Sequence, residues 1–420
     1  MPENQFRPQL EELYNYPFIR ALVERRSRRF PLGCEIQNGP LKYKSNKEPV
    51  PLNSLETALL CYAGAGSTGL ALGDLDTTHS SNMLMNWPGR SCPSPCNNHQ
   101  LQLLFTNDDG LYLYKPRQAE ETVEIKSIDD LVERVSSFDR DIVKLKDGRL
   151  GLPDGPPAIG LMNKGTVNRT GQTMFIPIAP TAHELIVILL SSFQYDRYNM
   201  IDDDTRKPAG IEKWVSKLNL GLKVPVSVLE RTVFAVCILE AGLMCQNILL
   251  TAQALGLGAF PPGGYTSLVV MGGTPVSRGL GFRFTSDKKG LPNPVGIDGV
   301  LEGYHPPYYK SMDEAVDTVV REKFGQGRTW SPDAKATPFL DHAAMAKGID
   351  RIPDEVIQCT KDYCNYIYGK YGRFPATLDS MYMPIWIVAH HLDLDFYEKI
   401  YKPGAVSENI KSHLKKWHSA

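Results

Sequence analysis

The chain has almost no surplus of charge. Its 46 lysines and arginines stand against 47 aspartates and glutamates, a net of −1 over 420 residues. No global field therefore recruits nucleic acid or an anionic membrane surface. The opening residues, Met-Pro-Glu-Asn-Gln-Phe-Arg, contain no apolar run of the kind a secretory signal needs. No stretch reaches the uninterrupted apolar length of a membrane span. The nearest, Val233 to Ala259, is broken by Glu240, Gln246, Asn247 and Gln253. Eight cysteines are too few for a disulfide scaffold in a chain this long. Cys92 and Cys96 flank Pro-Ser-Pro, and Cys359 and Cys364 lie five apart, but neither pair has a second pair at zinc-site spacing. Reduced, mostly structural cysteines and a cytoplasmic location are expected. There is no internal repeat and no low-complexity tract.

What the chain does have is a nearly charge-free run from Glu240 to Ala259. An exposed helix would show charges on its outer face, so this run is expected to be a helix buried on most sides. Gly258 is the expected C-cap. The Pro261-Pro262-Gly263-Gly264 turn that follows offers bare backbone to a flat ligand. A plain core helix followed by an ordinary turn is the alternative.

Length allows one large domain or two ordinary ones. Leu10 to Arg29 reads as a helix stopped by Pro31, and Leu52 to Ala63 as a helix capped by Asn53 or Ser54. Gly64 to Gly69 reads as a flexible loop, and residues 70–100 as irregular. Leu101 to Phe105 and Gly110 to Tyr114 form an expected hairpin around Asn107-Asp108-Asp109-Gly110. Ser127 caps a short helix to Ser137. Residues 147–182 read as loop with short strands, Glu184 to Ser192 as helix or strand, and 196–224 as a polar insertion. Leu268 to Met271 and Gly281 to Phe284 are strand candidates, and Met312 to Phe324 is an amphipathic helix. A main domain over 1–328 and a mostly helical extension over 329–420 are expected.

Three constellations could carry chemistry. Arg25-Arg26-Ser27-Arg28-Arg29 packs four guanidiniums into five residues, which suits a phosphate or, equally, a solvated basic face. Pro93-Ser94-Pro95-Cys96-Asn97-Asn98-His99-Gln100 is a stiff loop of amide and imidazole groups. Such groups read the edge of a heteroaromatic ring or cap local backbone. Gly263-Gly264 offers backbone N–H groups or a simple turn.

In order and spacing these three resemble the nitroreductase superfamily of FMN-dependent oxidoreductases. The likeness runs over residues 15–325. It comprises the Arg-Arg-Ser-x-Arg run, the Pro-Ser-x-x-Asn loop and the Gln246-Asn247-x-x-Leu-x-Ala-x-x-Leu-Gly-Leu-Gly helix. Arg90-Ser91-Cys92-Pro93-Ser94, Gly110-Leu111-Tyr112-Leu113-Tyr114 and Leu239-Glu240-Ala241-Gly242 are similar to the azoline dehydrogenase branch. The resemblance implies an α+β fold with an antiparallel-dominated central sheet flanked by helices. It also implies a homodimer with FMN at the subunit interface. Arg25 and Ser27 would hold the phosphate and Arg29 would sit near the pyrimidine end of the flavin. Ser94 and Asn97 would lie at its edge, Gly263 and Gly264 near N5, and Lys310 late on the phosphate. His99 would be a polar neighbour and a weak catalytic candidate.

The azoline dehydrogenases carry a Lys-Tyr pair before the long helix, and Val224 to Arg231 has none here. The expected activity is therefore hydride transfer between the flavin and an unidentified small molecule or peptide, with NAD(P)H as a candidate electron donor. A non-catalytic flavin- or partner-binding component of a biosynthetic complex is the rival. A nucleic-acid module, resting on Arg25 to Arg29 alone, is third. In the C-terminal part, His391 and Asp395 stand at i and i+4 with no evident third ligand, so no metal is expected there.

Overall fold

The computed structural model describes residues 6–74, 82–116 and 124–418. The opening five residues, and residues 75–81 of the stretch expected to be irregular, lie outside that description. The fold is mixed α+β, built round a six-stranded sheet. In spatial order its strands are Gly258–Phe260, Ile387–His390, Thr173–Ile178, Gln102–Thr106, Gly110–Tyr114 and Ile142–Asp147. Every neighbouring pair is antiparallel.

Strand side chains alternate between faces, and here both faces are covered. Leu103, Phe105, Phe175, Ile387 and Ala389 share a core with the helices Ser54–Ala65 and Val226–Leu255. Leu104, Met174, Ile176, Trp386 and Val388 pack on the other face with Phe260 and Val270. The strand Thr173–Ile178 is buried at all six positions. It lies within the segment expected to be loop. The expected C-terminal extension supplies Ile387–His390, which sits between two strands of the main body. A third core joins Thr181–Ser191, Met312–Phe324 and Asp354–Tyr371 to the N-terminal part of the long helix.

The hairpin forms as expected, with Asn107 Oδ1 accepting from the amides of Asp109 and Gly110. Ser127 and Asn53 both cap helices through reciprocal bonds, the latter with Glu56. Other expectations are corrected. Leu10 to Arg29 is two short helices, Arg7–Tyr14 and Phe18–Glu24, because Pro17 pushes Tyr16 out of helical geometry. Residues 25–30 then run extended. The expected loop after Ala65 is a strand, Ser67–Leu70, paired with Pro88–Arg90. Leu268 to Met271 is helical, Ser267–Met271, despite its two valines.

The long helix spans Val226–Leu255 and is capped two residues earlier than read, at Gly256 and not Gly258. Gly256 takes φ +94° and donates to the Ala252 carbonyl, while Gly258 begins a strand. By length and composition this helix could cross a membrane. Within the fold, one of its sides is core and the other is an exposed stripe. That stripe includes Ala235, Leu239, Gly242 and Leu243, so burial on most sides does not hold.

Candidate functional site

The basic run is placed by a backbone bridge. Residues 25–30 continue from the helix Phe18–Glu24 as an extended segment, and Ser27 pairs in parallel with Ala259 of the edge strand. That pairing carries the arginines to the C-terminal end of the long helix, next to the Pro-Pro-Gly-Gly turn. The four guanidiniums then separate by task. Arg28 is buried and donates to Gln253 Oε1 (2.9 Å), the Ala405 carbonyl (2.8 Å) and the Glu24 carbonyl (3.3 Å). It fastens the segment to the helix and the C-terminal part. Arg29 lies over the Phe260 ring at 4.5 Å and donates to Asn163 Oδ1. Asn163 in turn donates to the Gly263 carbonyl. Gly264, at φ +70°, accepts from the Gly160 amide. Arg26 is exposed and Arg25 half-buried.

Beside this junction lies a cavity of about 590 Å³. Arg26, Ser27, Arg28, Arg29 and Lys164 form its polar wall, and Phe30, Ile36, Met162, Phe396, Tyr397 and Tyr401 its apolar wall. Among the described residues, no carboxylate lines it. The Tyr397 hydroxyl accepts from the amides of Arg29 (2.9 Å) and Phe30 (3.1 Å), so aromatic wall and basic segment are one unit. The volume falls in the range of small-molecule and cofactor sites. Uncompensated cations beside aromatic rings suit a flat, anionic ligand.

The second group of expected residues lies elsewhere. Leu101 N donates to Glu240 Oε1, and the Cys92 thiol to the Glu240 carbonyl, so the 92–101 loop is tied to the middle of the long helix. Glu240 stands thirteen residues before Gln253, about 20 Å along the helix axis. Ser27 and Arg29 thus share the basic cavity, and Arg29 is linked through Asn163 to the Gly263-Gly264 turn, but Arg25, Gly263 and Gly264 do not line it. Ser94, Asn97 and His99 lie in a separate region. Lys310 joins neither. It is exposed, just before the helix Met312–Phe324, where its amide donates to Glu314.

Two adjoining cavities, of about 300 and 320 Å³, share Arg90, His99 and Gln102 as walls at this second site. Asn97 and His99 both take left-handed backbone, at φ 51° and 48°. Asn97 Nδ2 donates to the Asn86 carbonyl (3.2 Å), and Asn97 Oδ1 lies 3.0 Å from His99 Nε2. Burial, with Arg90 and Lys323 nearby, lowers His99 to about 4. Its imidazole is therefore neutral at physiological pH. Burial pushes the Cys96 thiol up to about 12, which removes it as a nucleophile.

Three charged groups that sequence reasoning passed over sit here. Glu240 is pushed up to about 7, mainly by burial and then by the Glu184 carboxylate, against the Ser94 hydroxyl and Arg90. Glu184 is itself raised by burial and accepts from Asn98 Nδ2 at 2.6 Å. Lys323 is lowered to about 7 by burial and donates to the Met85 carbonyl (2.7 Å) and Asn86 Oδ1 (2.9 Å). Lys323 also shares a cavity with Tyr304, whose hydroxyl donates to Glu322 at 2.9 Å. No sequence signal marks Lys323, because a lysine near a helix end ordinarily reads as solvated.

No protein-family model matches the chain, and no curated protein does. Among solved structures, the chain is similar to a "putative nitroreductase" from Ralstonia eutropha JMP134, with 17% sequence identity and a TM-score of 0.27. The match covers 60% of this chain and 71% of that one.

Proposed function

We propose that the protein is an FMN-dependent oxidoreductase with a nitroreductase-like fold, acting on a small-molecule or peptide substrate. One observation carries the reading. The Ser27–Ala259 bridge, with the Arg29–Asn163–Gly263 chain of hydrogen bonds, sets the basic run near the Gly263-Gly264 turn, beside a cavity lined by cations and aromatic rings and, among the described residues, by no carboxylate. The donor set fits FMN. Arg26, Ser27 and Lys164 would hold the phosphate, and Phe396 and Tyr397 would wall the ring system. Arg29, fixed by Phe260 and Asn163, would keep a positive charge where negative charge develops on reduction. The cofactor, when bound, supplies two-electron transfer to or from a substrate. The side chains bind, orient and exclude water, and Glu240 or Lys323 exchanges a proton with substrate at near-neutral pH.

The same reading makes the protein a homodimer. The two groups of candidate residues are about 20 Å apart in one chain, and a second copy could bring them together. The long helix exposes Leu239 and Leu243, with the small residues Ala235 and Gly242 on the same stripe. The helix Phe18–Glu24, which packs on the long helix, exposes Phe18, Ile19, Leu22 and Val23. Exposed apolar side chains on both helices suit an interface. Light scattering of the flavin-loaded protein should give twice the chain mass, and a monomer with flavin bound would refute the pairing. NAD(P)H should bleach the visible flavin bands. Flavin binding without bleaching by any donor would favour a non-catalytic component.

A further inference from the structure

His391 was left without a third ligand in the sequence, and its i+4 neighbour Asp395 instead pairs with Lys47 at 2.9 Å. The fold supplies other partners. Glu56 occupies the third position of the helix Ser54–Ala65, where Oε2 accepts from the Asn53 amide at 2.7 Å and completes the cap. Its other oxygen meets three imidazoles. Oε1 lies 2.5 Å from His413 Nε2, 3.2 Å from His391 Nε2 and 3.2 Å from His418 Nε2. The His391 and His413 Nε2 atoms are 3.2 Å apart. The four donor atoms all lie within 4.8 Å of one another.

The outer hydrogen bonds fix what these rings present. His391 Nδ1 is 2.8 Å from the Val50 carbonyl, and His413 Nδ1 is 2.7 Å from the Leu255 carbonyl. A carbonyl only accepts, so both Nδ1 atoms carry their protons. With Nδ1 so engaged, each ring directs Nε2 inward, toward the other ring and toward a carboxylate. Acceptor atoms converging in a buried space are bridged by a cation, either a proton or a metal ion. Histidine ligands of metal ions ordinarily donate their second nitrogen to a carbonyl or carboxylate in this way. In a tetrahedral zinc site, bonds of about 2.0–2.1 Å separate the ligand atoms by about 3.3 Å. Three of the separations, at 3.2 Å, are close to that spacing, while the 2.5 Å contact of His413 with Glu56 is a hydrogen-bond length that must open when an ion enters.

We propose that Glu56, His391, His413 and His418 form a Zn²⁺ site. Glu56, His391 and His413 are fully or almost fully buried, and the His418 side chain is 20% exposed. Four protein ligands in a closed setting make the site structural, with no open position for water or substrate. It ties the N-terminal turn of one helix to the end of the strand Ile387–His390 and to the helix Glu408–Trp417. The C-terminal segment is thereby locked onto the central sheet. None of the three cavities is lined by any of its four residues.

The test uses the full-length protein loaded with Zn²⁺ and desalted. Elemental analysis should find one zinc per chain, and a chelator should lower the melting temperature. Co²⁺ exchanged into the site should give the visible absorption of four-coordinate cobalt. His413→Ala should lose the ion. The milder His418→Gln, at the most exposed ligand, should lower occupancy while leaving the far-ultraviolet circular dichroism unchanged. A protein that takes up no stoichiometric Zn²⁺, with a melting temperature indifferent to chelator, would overturn the proposal and leave a proton-filled Glu–His cluster. A cobalt spectrum unaltered in folded His418→Gln and His413→Ala proteins would overturn it too, by placing the ion elsewhere.

Discussion

The long helix separates two cavities of opposite character. At its C-terminal end the wall is cationic and aromatic, and the one buried guanidinium there, Arg28, is fully engaged by backbone and amide oxygens. At its middle the wall holds Glu240, Lys323, His99 and Arg90, charged or imidazole groups packed where water is scarce. The first arrangement is a fixed positive charge that needs no proton and suits binding. The second holds groups whose protonation changes near neutral pH and suits proton exchange. The proposed oxidoreductase would need both functions, and the residues suited to them lie on separate parts of one chain.

The largest effect that would sharpen this contrast concerns Glu240. Its native pKa of about 7 lies above the ordinary carboxylate value of 4.5. Between those values the folded protein holds a proton that the unfolded chain releases, so stability falls as pH rises from 4.5 to 7 and then levels. The full cost is on the order of 3 kcal/mol. Glu240→Gln should remove this fall in denaturant melts across that range. Lys323 acts in the opposite sense: its native pKa of about 7 lies below 10.5, so stability rises with pH between the two. Should Glu240→Gln leave the profile below pH 7 unchanged, the buried carboxylate does not titrate there.

Next in size is the basic cavity. Arg29→Ala removes a charge-assisted contact and should weaken FMN binding by about 1.5–3 kcal/mol, or about 10- to 150-fold. Titration with quenching of flavin fluorescence measures this. Equal loss from Glu240→Gln would erase the distinction between the two cavities. His99→Gln should leave the pH dependence of turnover between pH 5 and 8 in place, because His99 is already neutral there. The smallest effect is expected at Lys310, exposed and outside both cavities. Lys310→Ala should shift FMN affinity by less than about 0.5 kcal/mol, and a larger shift would place that lysine on the ligand.

Two inner strands of the sheet were readable in the sequence, because their hairpin declared itself through Asn107 to Gly110, and two helices declared their caps. The edge strands were not read, and the other two inner strands were hidden for a physical reason. Thr173–Ile178 is buried on both faces, so Thr-Met-Phe-Ile-Pro-Ile shows no alternation and sits among glycines and prolines. Ile387–His390 is only four residues long within a helical segment. The Arg-Arg-Ser-x-Arg run and the glycine turn were visible as residues, but their meeting depends on the Ser27–Ala259 bridge, a contact across more than 230 positions. Lys323 and the Glu56–histidine cluster were invisible for the same reason. Their partners come from segments that only the fold brings together.

The central claim is that the cavity beside Arg29 holds FMN. Its most direct measurement is the visible absorption spectrum of the purified protein, followed by titration with FMN and repeated on Arg29→Ala. The account predicts flavin bands at one FMN per chain, with affinity reduced by about 10- to 150-fold in the variant. A protein that shows no flavin bands and does not quench added FMN, or an Arg29→Ala protein that binds as tightly as the parent, would contradict it.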